Sequence, residues 1–250
     1  MLKDERQQRI LQLLKADGSV TAERLSRHFY VSLPTIYRDL RELERRQLVS
    51  RSDGLVRLSR EQAVTTPLDF RRSIHAKEKA AIARAAVNLI EDDSVIFLDA
   101  STTVSFLIDD LRCFENLTVL TNGLMTAMLL SSAGVRTFCV GGALVENSLA
   151  AGGRMAREML REFPIDLMLF SAYGVDRQGV IVDPSEEETA LRRFILRRAS
   201  ASALLCDRSK FGKSSLFNVS PLSGIDYLVT DARLSWKQAP VRREIITVEV

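Results

Sequence analysis

Polar residues follow several apolar segments in the last two thirds of the sequence, and their types would suit a phosphorylated ligand. Ser101–Thr103 carries three hydroxyls at the predicted start of a helix, where free backbone N–H groups bind anions. Asp99 and Asn122 could hydrogen-bond sugar hydroxyls, and Lys210 would supply positive charge. The pair Gly141-Gly142 would let a ligand approach the backbone closely. Together these residues predict a site for a small phosphorylated polyol.

Each of these residues also has an ordinary structural explanation. Asp99 could cap a helix, Gly141-Gly142 could form a turn, and Lys210 could lie in solvent. The prediction of a binding site therefore depends on the convergence of all these residues at one edge of the fold.

A second group of polar residues lies in the segment VSLPTIYRDLRELERRQLVSR, residues 31–51. Arg38 and Arg41 would reach phosphates or guanine edges of DNA from the outer side of a predicted helix. Hydroxyl groups on the same helix suit phosphate oxygens or a thymine methyl group, and two more arginines belong to a predicted hairpin. The predicted DNA-contacting residues are Ser32, Thr35, Tyr37, Arg38, Arg41, Arg51 and Arg57. Arginine-rich helix faces are also common on solvated surfaces, so the neighbouring elements decide between the two interpretations.

Three short helices and a hairpin are predicted to position these residues. Helical spacing is found in residues 5–15, in residues 21–29 after a capping Thr21, and from Ser32 onward. Ile36, Leu40 and Leu43 recur at i, i+4 and i+7, so they would hold the third helix against the other two. Asp53-Gly54 then marks a hairpin between two short β-like segments. This pattern is typical of a winged helix-turn-helix, whose third helix enters the major groove.

The remainder of the chain alternates apolar strands with helices. The predicted strands are SVIFLDA, LTVLTN, RTFCVGG, IDLMLFSAYG, SALLCD, YLVTD and IITVEV. Continuous apolar strands separated by helices predict a doubly wound, mainly parallel sheet with both faces covered, which binds ligands beyond the carboxyl ends of its strands. The predicted organisation is a DNA-binding domain at residues 1–58, a linker at 59–74 and an α/β domain at 75–250.

Charge and composition agree with this division. Residues 1–60 hold 13 basic and 8 acidic side chains, whereas the rest holds 22 basic and 24 acidic ones. A basic N-terminal segment followed by a near-neutral remainder is typical of a polyanion-binding unit attached to a second domain. The three cysteines show no CxxC or metal-like spacing, so we expect free thiols, no metal centre and no cofactor. The charged N-terminus and the lack of a long apolar run predict a cytoplasmic protein without a membrane span.

The sequence resembles the DeoR family of bacterial transcriptional regulators over nearly its whole length. VSLPTIYRDLRELERRQLVSR is similar to the signature of the family's N-terminal domain, and LDASTT, TNGL, VGGALVENSLAAGG, EEETALRR and CDRSKFG follow its C-terminal sensor domain in order. The resemblance implies a Rossmann-like, isomerase-like α/β sensor domain that binds a phosphorylated sugar. The effector-binding residues it implies are Asp99, Ser101, Thr102, Thr103, Asn122, Gly141, Gly142, Glu188, Arg192 and Lys210.

Several positions depart from the family pattern. Tyr37 stands where the family usually has arginine, and Gln47 where it usually has glycine. In the second domain, Tyr173 replaces a frequent aspartate and Arg192 a frequent lysine. The operator sequence and the identity of the sugar therefore cannot be carried over from the family.

Two functions are compatible with these residues. The first is a ligand-controlled regulator, expected to be a homo-oligomeric repressor (dimer or tetramer) that binds double-stranded operator DNA. The second is a sugar-phosphate isomerase with a DNA-binding appendage, in which one of Glu186–Glu188 is the general base and Lys210 the electrophile. Only two histidines occur, and Tyr173 stands at the expected aspartate, so the regulator is favoured.

Overall fold

The computed structural model describes residues 3–17, 19–45, 48–52, 54–58, 68–145, 148–234 and 240–250. The chain divides into two compact units, Met1–Pro67 and Leu68–Val250. This division falls inside the predicted linker at 59–74. Residues 59–67 of that linker lie outside the described residues, whereas Leu68–Ser73 forms a short helix of the second unit rather than an irregular segment.

The first unit contains three helices and a three-stranded antiparallel sheet. Its elements are α1 (Lys3–Asp17), β1 (Ser19–Thr21), α2 (Ala22–Phe29), α3 (Leu33–Arg45), β2 (Val49–Ser52) and β3 (Leu55–Leu58). The predicted helices and hairpin are present. Strand β1 was not predicted; it pairs with β3 and gives the sheet the order β1-β3-β2.

Local sequence features fix these elements in place. The hydroxyl of Thr21 accepts a hydrogen bond from the Arg24 backbone N–H and caps α2, as predicted. Ile36, Leu40 and Leu43 of α3 are buried, which confirms the inward face of that helix. Their burial leaves the opposite face of α3 open to solvent.

A buried ion pair joins the first and third helices. The Nε of Arg6 lies 2.6 Å from Oδ2 of Asp39, and only 10% of the arginine side chain and 1% of the aspartate side chain are exposed. Asp39 directly follows Arg38, so the pair fixes the rotation of α3 at the point where its outer face carries arginine. Charge counts along the sequence do not reveal this pair, because its members lie 33 residues apart.

The second unit is built on a seven-stranded parallel sheet. Its elements are α4 (Leu68–Ser73), α5 (Ala76–Val87), β4 (Val95–Leu98), a 3₁₀ helix (Val104–Cys113), β5 (Thr118–Thr121), α6 (Leu124–Ser132), β6 (Arg136–Cys139), β7 (Ala143–Val145), β8 (Ala150–Gly152), α7 (Gly153–Arg161), β9 (Leu167–Phe170), β10 (Gly174–Val175), β11 (Val180–Asp183), α8 (Glu186–Leu196), β12 (Ala201–Leu205), a 3₁₀ turn (Arg208–Lys210), β13 (Phe217–Pro221), a 3₁₀ turn (Leu222–Gly224), β14 (Tyr227–Thr230) and β15 (Glu244–Thr247). The strand order in the large sheet is β15-β14-β12-β9-β4-β5-β6.

The seven strands are those that the apolar segments predicted, and both faces of the sheet are covered. Along β4, Ile96 and Leu98 belong to one apolar cluster and Phe97 to the other. Successive side chains of a strand point to opposite faces, so the two clusters lie on the two sides of the sheet. This arrangement explains why the strands are apolar throughout rather than alternating with polar residues.

Two small antiparallel sheets were not predicted. One pairs β7 with β8, and the other has the order β10-β11-β13. Their strands, two to five residues long, do not alternate with helices as the strands of the large sheet do, so the alternating pattern did not identify them. Within the described ranges, each helix is too short or too polar to cross a lipid bilayer.

Replacing Asp39 with alanine should destabilise the first unit by about 3 kcal/mol, because the Arg6 guanidinium would remain buried without its partner. Hydrogen exchange of the buried amides of α3 in the full-length chain would measure this loss. The matched control is Arg9→Ala, which removes an arginine from an exposed pair with Glu5 and should cost less than about 0.5 kcal/mol. Equal effects of the two substitutions would contradict a stabilising role for the buried pair.

Candidate functional site

The centre of the large sheet is a topological switch point. The chain leaves β4 toward β5 on one side and later returns to place β9 on the other side. Open α/β sheets bind ligands in the crevice beyond the carboxyl ends of such strands. Asp99 follows β4 and Ser171 follows β9, and the Ser171 backbone N–H donates to Oδ2 of Asp99 at 3.2 Å. The predicted Asp99 therefore lies at the place in the fold where a ligand site is expected.

Arg192 of α8 gathers three carboxylates at this point. Its Nη2 lies 3.1 Å from Oδ2 of Asp99 and 2.9 Å from Oε2 of Glu188, and its Nη1 lies 2.9 Å from Oδ2 of Asp183. Only 8% of the arginine side chain is exposed. Burial alone lowers the pKa of Arg192, but the three carboxylates reverse the effect and raise it. The side chain therefore stays cationic. Three of the residues expected at the effector site, Asp99, Glu188 and Arg192, are joined in one network.

The carboxylates respond differently to this environment. Burial raises the pKa of Asp183 despite the nearby Arg192 charge. Burial also opposes ionisation of Glu188, but Arg192 and a hydrogen bond with Ser148 bring its pKa below the usual range. Glu188 is therefore an ionised partner of Arg192 rather than a poised general base.

After β4 comes the hydroxyl segment, Ser101–Thr103, and two of its three side chains bond to other groups of the protein. Ser101 Oγ accepts from the Val104 backbone N–H at 3.3 Å, and Thr102 Oγ1 accepts from Nζ of Lys79 at 3.3 Å. Thr103 is fully buried, and its Oγ1 has no hydrogen-bond partner among the described residues. The site therefore combines a cation, Lys79, with an unsatisfied hydroxyl beside the start of a helix, which suits an anion.

Lys210 approaches the same edge from the loop after β12. Its Nζ donates to Ser171 Oγ at 2.6 Å and to the Ala172 carbonyl at 2.9 Å. Ser171 in turn donates to the Leu205 carbonyl and, through its backbone, to Asp99. An ammonium group has three N–H donors, so the two bonds hold Lys210 in place and leave donor capacity for a ligand.

Asn122 is positioned by the small β7–β8 sheet. Its Nδ2 donates to the Ala151 carbonyl at 3.1 Å, whereas its buried Oδ1 has no partner within the described part of the chain. That oxygen could accept a bond from a ligand hydroxyl. Gly141 and Gly142 are exposed instead, and a side chain at Gly142 would collide with the Gly152 carbonyl oxygen. The nearest neighbours of Gly142 thus lie in β8 and α7, and β8 is also the strand that positions Asn122.

The first unit presents the predicted DNA-contacting residues unevenly. The side chains of Ser32, Arg38, Arg41 and Arg57 are exposed, and the hydroxyls of Ser32 and Thr35 lie 2.9 Å apart. The open face of α3 therefore carries two exposed arginines, Arg38 and Arg41, and the hydroxyls of Ser32 and Thr35 lie at the start of the helix. These residue types match what a helix needs to bind phosphates and base edges in the major groove.

Arg51 differs from the expectation of a wing arginine extended toward DNA. It makes two hydrogen bonds to Glu44, at 2.8 and 2.6 Å, and its guanidinium carbon lies 5.9 Å from the Tyr37 ring centroid. The bonds to Glu44 raise the pKa of Arg51. A DNA phosphate would have to compete with Glu44 for this side chain, so Arg51 and Tyr37 form an internal cluster in the DNA-free protein.

Several residues of the second-unit site were missed by the sequence reasoning. Ser171 follows a predicted strand just as Asp99 does, so its position carried a usable signal. Lys79 lies three residues before Ile82 on the buried face of α5, and a lysine on an apolar helix face was a second signal. Asp183 ends β11, a strand of a small sheet that was not predicted, and no sequence pattern connects it with Arg192.

Replacing Arg192 with glutamine should make the second unit less stable near neutral pH than at mildly acidic pH. Without the guanidinium, burial would raise the pKa values of Asp183 and Glu188, so the folded state would bind more protons than the unfolded state. We expect a loss of roughly 3 kcal/mol or more near neutral pH, partly recovered as the pH falls toward the raised pKa values. Thermal unfolding at several pH values measures this change. Arg197→Gln, an exposed position at the end of α8, is the control and should follow the wild type.

Comparison with known proteins identifies the family of both units. Residues 6–62 match the DeoR-like helix-turn-helix domain, and residues 74–232 match the DeoR C-terminal sensor domain. The glycerol-3-phosphate regulon repressor of Escherichia coli K12 is 31% identical, and the match covers 93% of this chain and 92% of that protein. The L-fucose operon activator of Haemophilus influenzae is 30% identical, with 92% of each chain covered.

Among solved structures, the full-length sorbitol operon regulator SorC of Klebsiella pneumoniae is similar over 89% of this chain and 94% of its own, with 13% identity and a TM-score of 0.42. The isomerase alternative is set aside, because the full-length relatives are transcriptional regulators and Glu188 is engaged by Arg192. With both domain matches in chain order and relatives aligned over nearly their whole length, the chain belongs to the DeoR family of transcriptional regulators.

Proposed function

We propose that this protein is a cytoplasmic repressor of a sugar or sugar-derivative catabolic operon, relieved by a phosphorylated sugar bound in its second unit. The observation that supports the proposal is the position of three residues beyond the carboxyl ends of β12, β4 and β5: Lys210, Thr103 and Asn122. The Thr103 hydroxyl and the Asn122 amide oxygen have no hydrogen-bond partner among the described residues. Cations and unsatisfied polar atoms at one crevice favour a small polar anion as the ligand.

The site offers separate groups for the two parts of such a ligand. Phosphate oxygens would be bound by Lys210 and by the hydroxyls and backbone of Thr102 and Thr103. Sugar hydroxyls would donate to the carboxylate of Asp99 or to the amide oxygen of Asn122.

Control of transcription requires that the ligand bind one DNA-binding state more tightly than the other. The names of the two relatives include both a repressor and an activator, and either sign of control satisfies this condition. We propose repression, in which a ligand derived from the substrate of the catabolic operon releases the regulator from its operator. This scheme needs only one ligand and one operator. An operator read by symmetric half-sites also requires a homo-oligomer, a dimer or a tetramer.

Replacing Arg38 with alanine should weaken operator binding by about 1–3 kcal/mol, because the exposed guanidinium on α3 would no longer contact a phosphate or a base edge. Affinity for a duplex selected from a random library measures the effect. Arg84→Ala removes the same charge from an exposed position in the second unit and should leave affinity unchanged. Unchanged affinity of the Arg38 variant would mean that α3 is not the reading helix.

Replacing Lys210 with methionine should abolish ligand binding and leave operator binding intact. A wild-type protein in the presence of a sugar phosphate at 100 times its Kd gains about 2.7 kcal/mol of stability, and the variant should gain none. Thermal shift with ribose 5-phosphate, fructose 6-phosphate and glycerol 3-phosphate measures this difference. Lys77→Met, at an exposed position on α5, is the control. A weaker operator affinity of the Lys210 variant without ligand would count against the pocket assignment.

A further inference from the structure

The first helix of the second unit is tied directly to the candidate ligand site. Helix α4 immediately follows the boundary between the two units. The Nζ of Lys79 donates both to the Arg71 backbone carbonyl in α4 and to Thr102 Oγ1 in the hydroxyl segment. Lys79 is 5% exposed, so one buried ammonium group joins α4 to the predicted phosphate-binding residues.

A second connection joins the start of α5 to the Lys210 loop. Oε1 of Glu78 lies 3.8 Å from a guanidinium nitrogen of Arg208 and 3.7 Å from Nδ1 of His75. Nε of Arg208 also lies 3.3 Å from Oδ2 of Asp231. Burial opposes ionisation of Asp207 in that loop, but Lys210, a hydrogen bond with Ser209 and, to a smaller extent, His75 and Lys79 lower its pKa. The segment that enters the second unit therefore contacts the loops that carry Thr102 and Lys210.

Arg71, whose carbonyl accepts from Lys79, also carries an unsatisfied buried atom. Its Nε is buried and has no hydrogen-bond partner among the described residues. Burial lowers the pKa of Arg71, and the charges of Glu188, Asp183 and Asp99 partly oppose that shift. A buried guanidinium nitrogen without such a partner can form new contacts when the site changes.

Arg71 adds one positive charge near this network of acidic and basic side chains. It offsets the charges of Glu188, Asp183 and Asp99, which Arg192 also pairs. Its removal would make the surroundings of the site more negative by one charge. A phosphate monoester brings a charge of about −1.5 to −2, so it binds more favourably when Arg71 is in place.

We propose that Arg71 couples the ligand site to the segment leading to the DNA-binding unit, so that a bound sugar phosphate fixes α4 by holding Arg71 in the crevice. The inference rests on the proposed function and adds to it the residue that transmits ligand binding. The coupling is reciprocal: whatever fixes α4 in the DNA-bound protein changes the affinity for the ligand by the same factor. Arg71 is a positioning residue for this response and not a reader of DNA.

The test compares Arg71→Gln and Arg71→Lys with the wild type and with Arg84→Ala in the full-length protein. Operator affinity is measured with and without each of ribose 5-phosphate, fructose 6-phosphate and glycerol 3-phosphate, and ligand affinity is measured separately by calorimetry. Inorganic phosphate and the unphosphorylated sugars complete the panel. Hydrogen exchange of residues 71–79 reports whether the ligand fixes this segment.

We expect Arg71→Gln to bind the operator as the wild type does without ligand, which also shows that it is folded. Its ligand affinity should fall about fivefold or more, with loss of the ligand effect on operator affinity and of protection in residues 71–79. Arg71→Lys should retain part of both effects, and Arg84→Ala should retain all. A ligand that binds Arg71→Gln and still shifts its operator affinity as in the wild type would overturn the inference alone. A wild type that binds no sugar phosphate of the panel would overturn the proposed function, and the inference with it.

Discussion

The buried guanidinium of Arg192 is the interaction on which the second unit's site depends. It joins three carboxylates, which follow β4, end β11 and lie on α8, and the one after β4, Asp99, stands 93 residues from Arg192 in the sequence. Asp99 then accepts the backbone N–H of Ser171, and the Ser171 hydroxyl accepts from Lys210. A charge this deeply buried is tolerated only when it is fully paired, so the carboxylates and the arginine require one another. The polar network thus fixes the side chains at the switch point relative to one another.

The same network bears on the isomerase alternative. A general base needs a carboxylate whose pKa can approach neutrality and whose oxygen is available to a substrate proton. Glu188 is instead ionised and held by Arg192 and Ser148. Thr103 Oγ1 and Asn122 Oδ1, which have no hydrogen-bond partner among the described residues, can form hydrogen bonds but cannot move a proton from carbon. Groups of this kind suit the recognition of a ligand rather than catalysis.

The first unit follows a related rule with a smaller network. The ion pair of Arg6 with Asp39 fixes α3 against α1, while the outer face of α3 remains exposed and could contact DNA. Arg51 was expected to extend from the hairpin, but its pair with Glu44 and its position over Tyr37 make it part of the helix–hairpin contact. The ring of Tyr37 therefore packs against the guanidinium of Arg51, a contact that residue type alone did not indicate. DNA binding would exchange one partner of Arg51 for another.

The sequence alone determined the seven parallel strands, the three helices with their hairpin, and the placement of Asp99 and Asn122 after strands, because hydrophobic periodicity and capping are local properties. Tertiary structure alone decided which polar residues meet: Arg192 with Asp99, Arg6 with Asp39, and Lys79 with both α4 and the hydroxyl segment. It also placed Gly142 against the Gly152 carbonyl of β8, the strand that positions Asn122. The physical reason is that ion pairs between distant segments leave no periodic signal, since each partner is chosen by burial and geometry that exist only after the chain has folded.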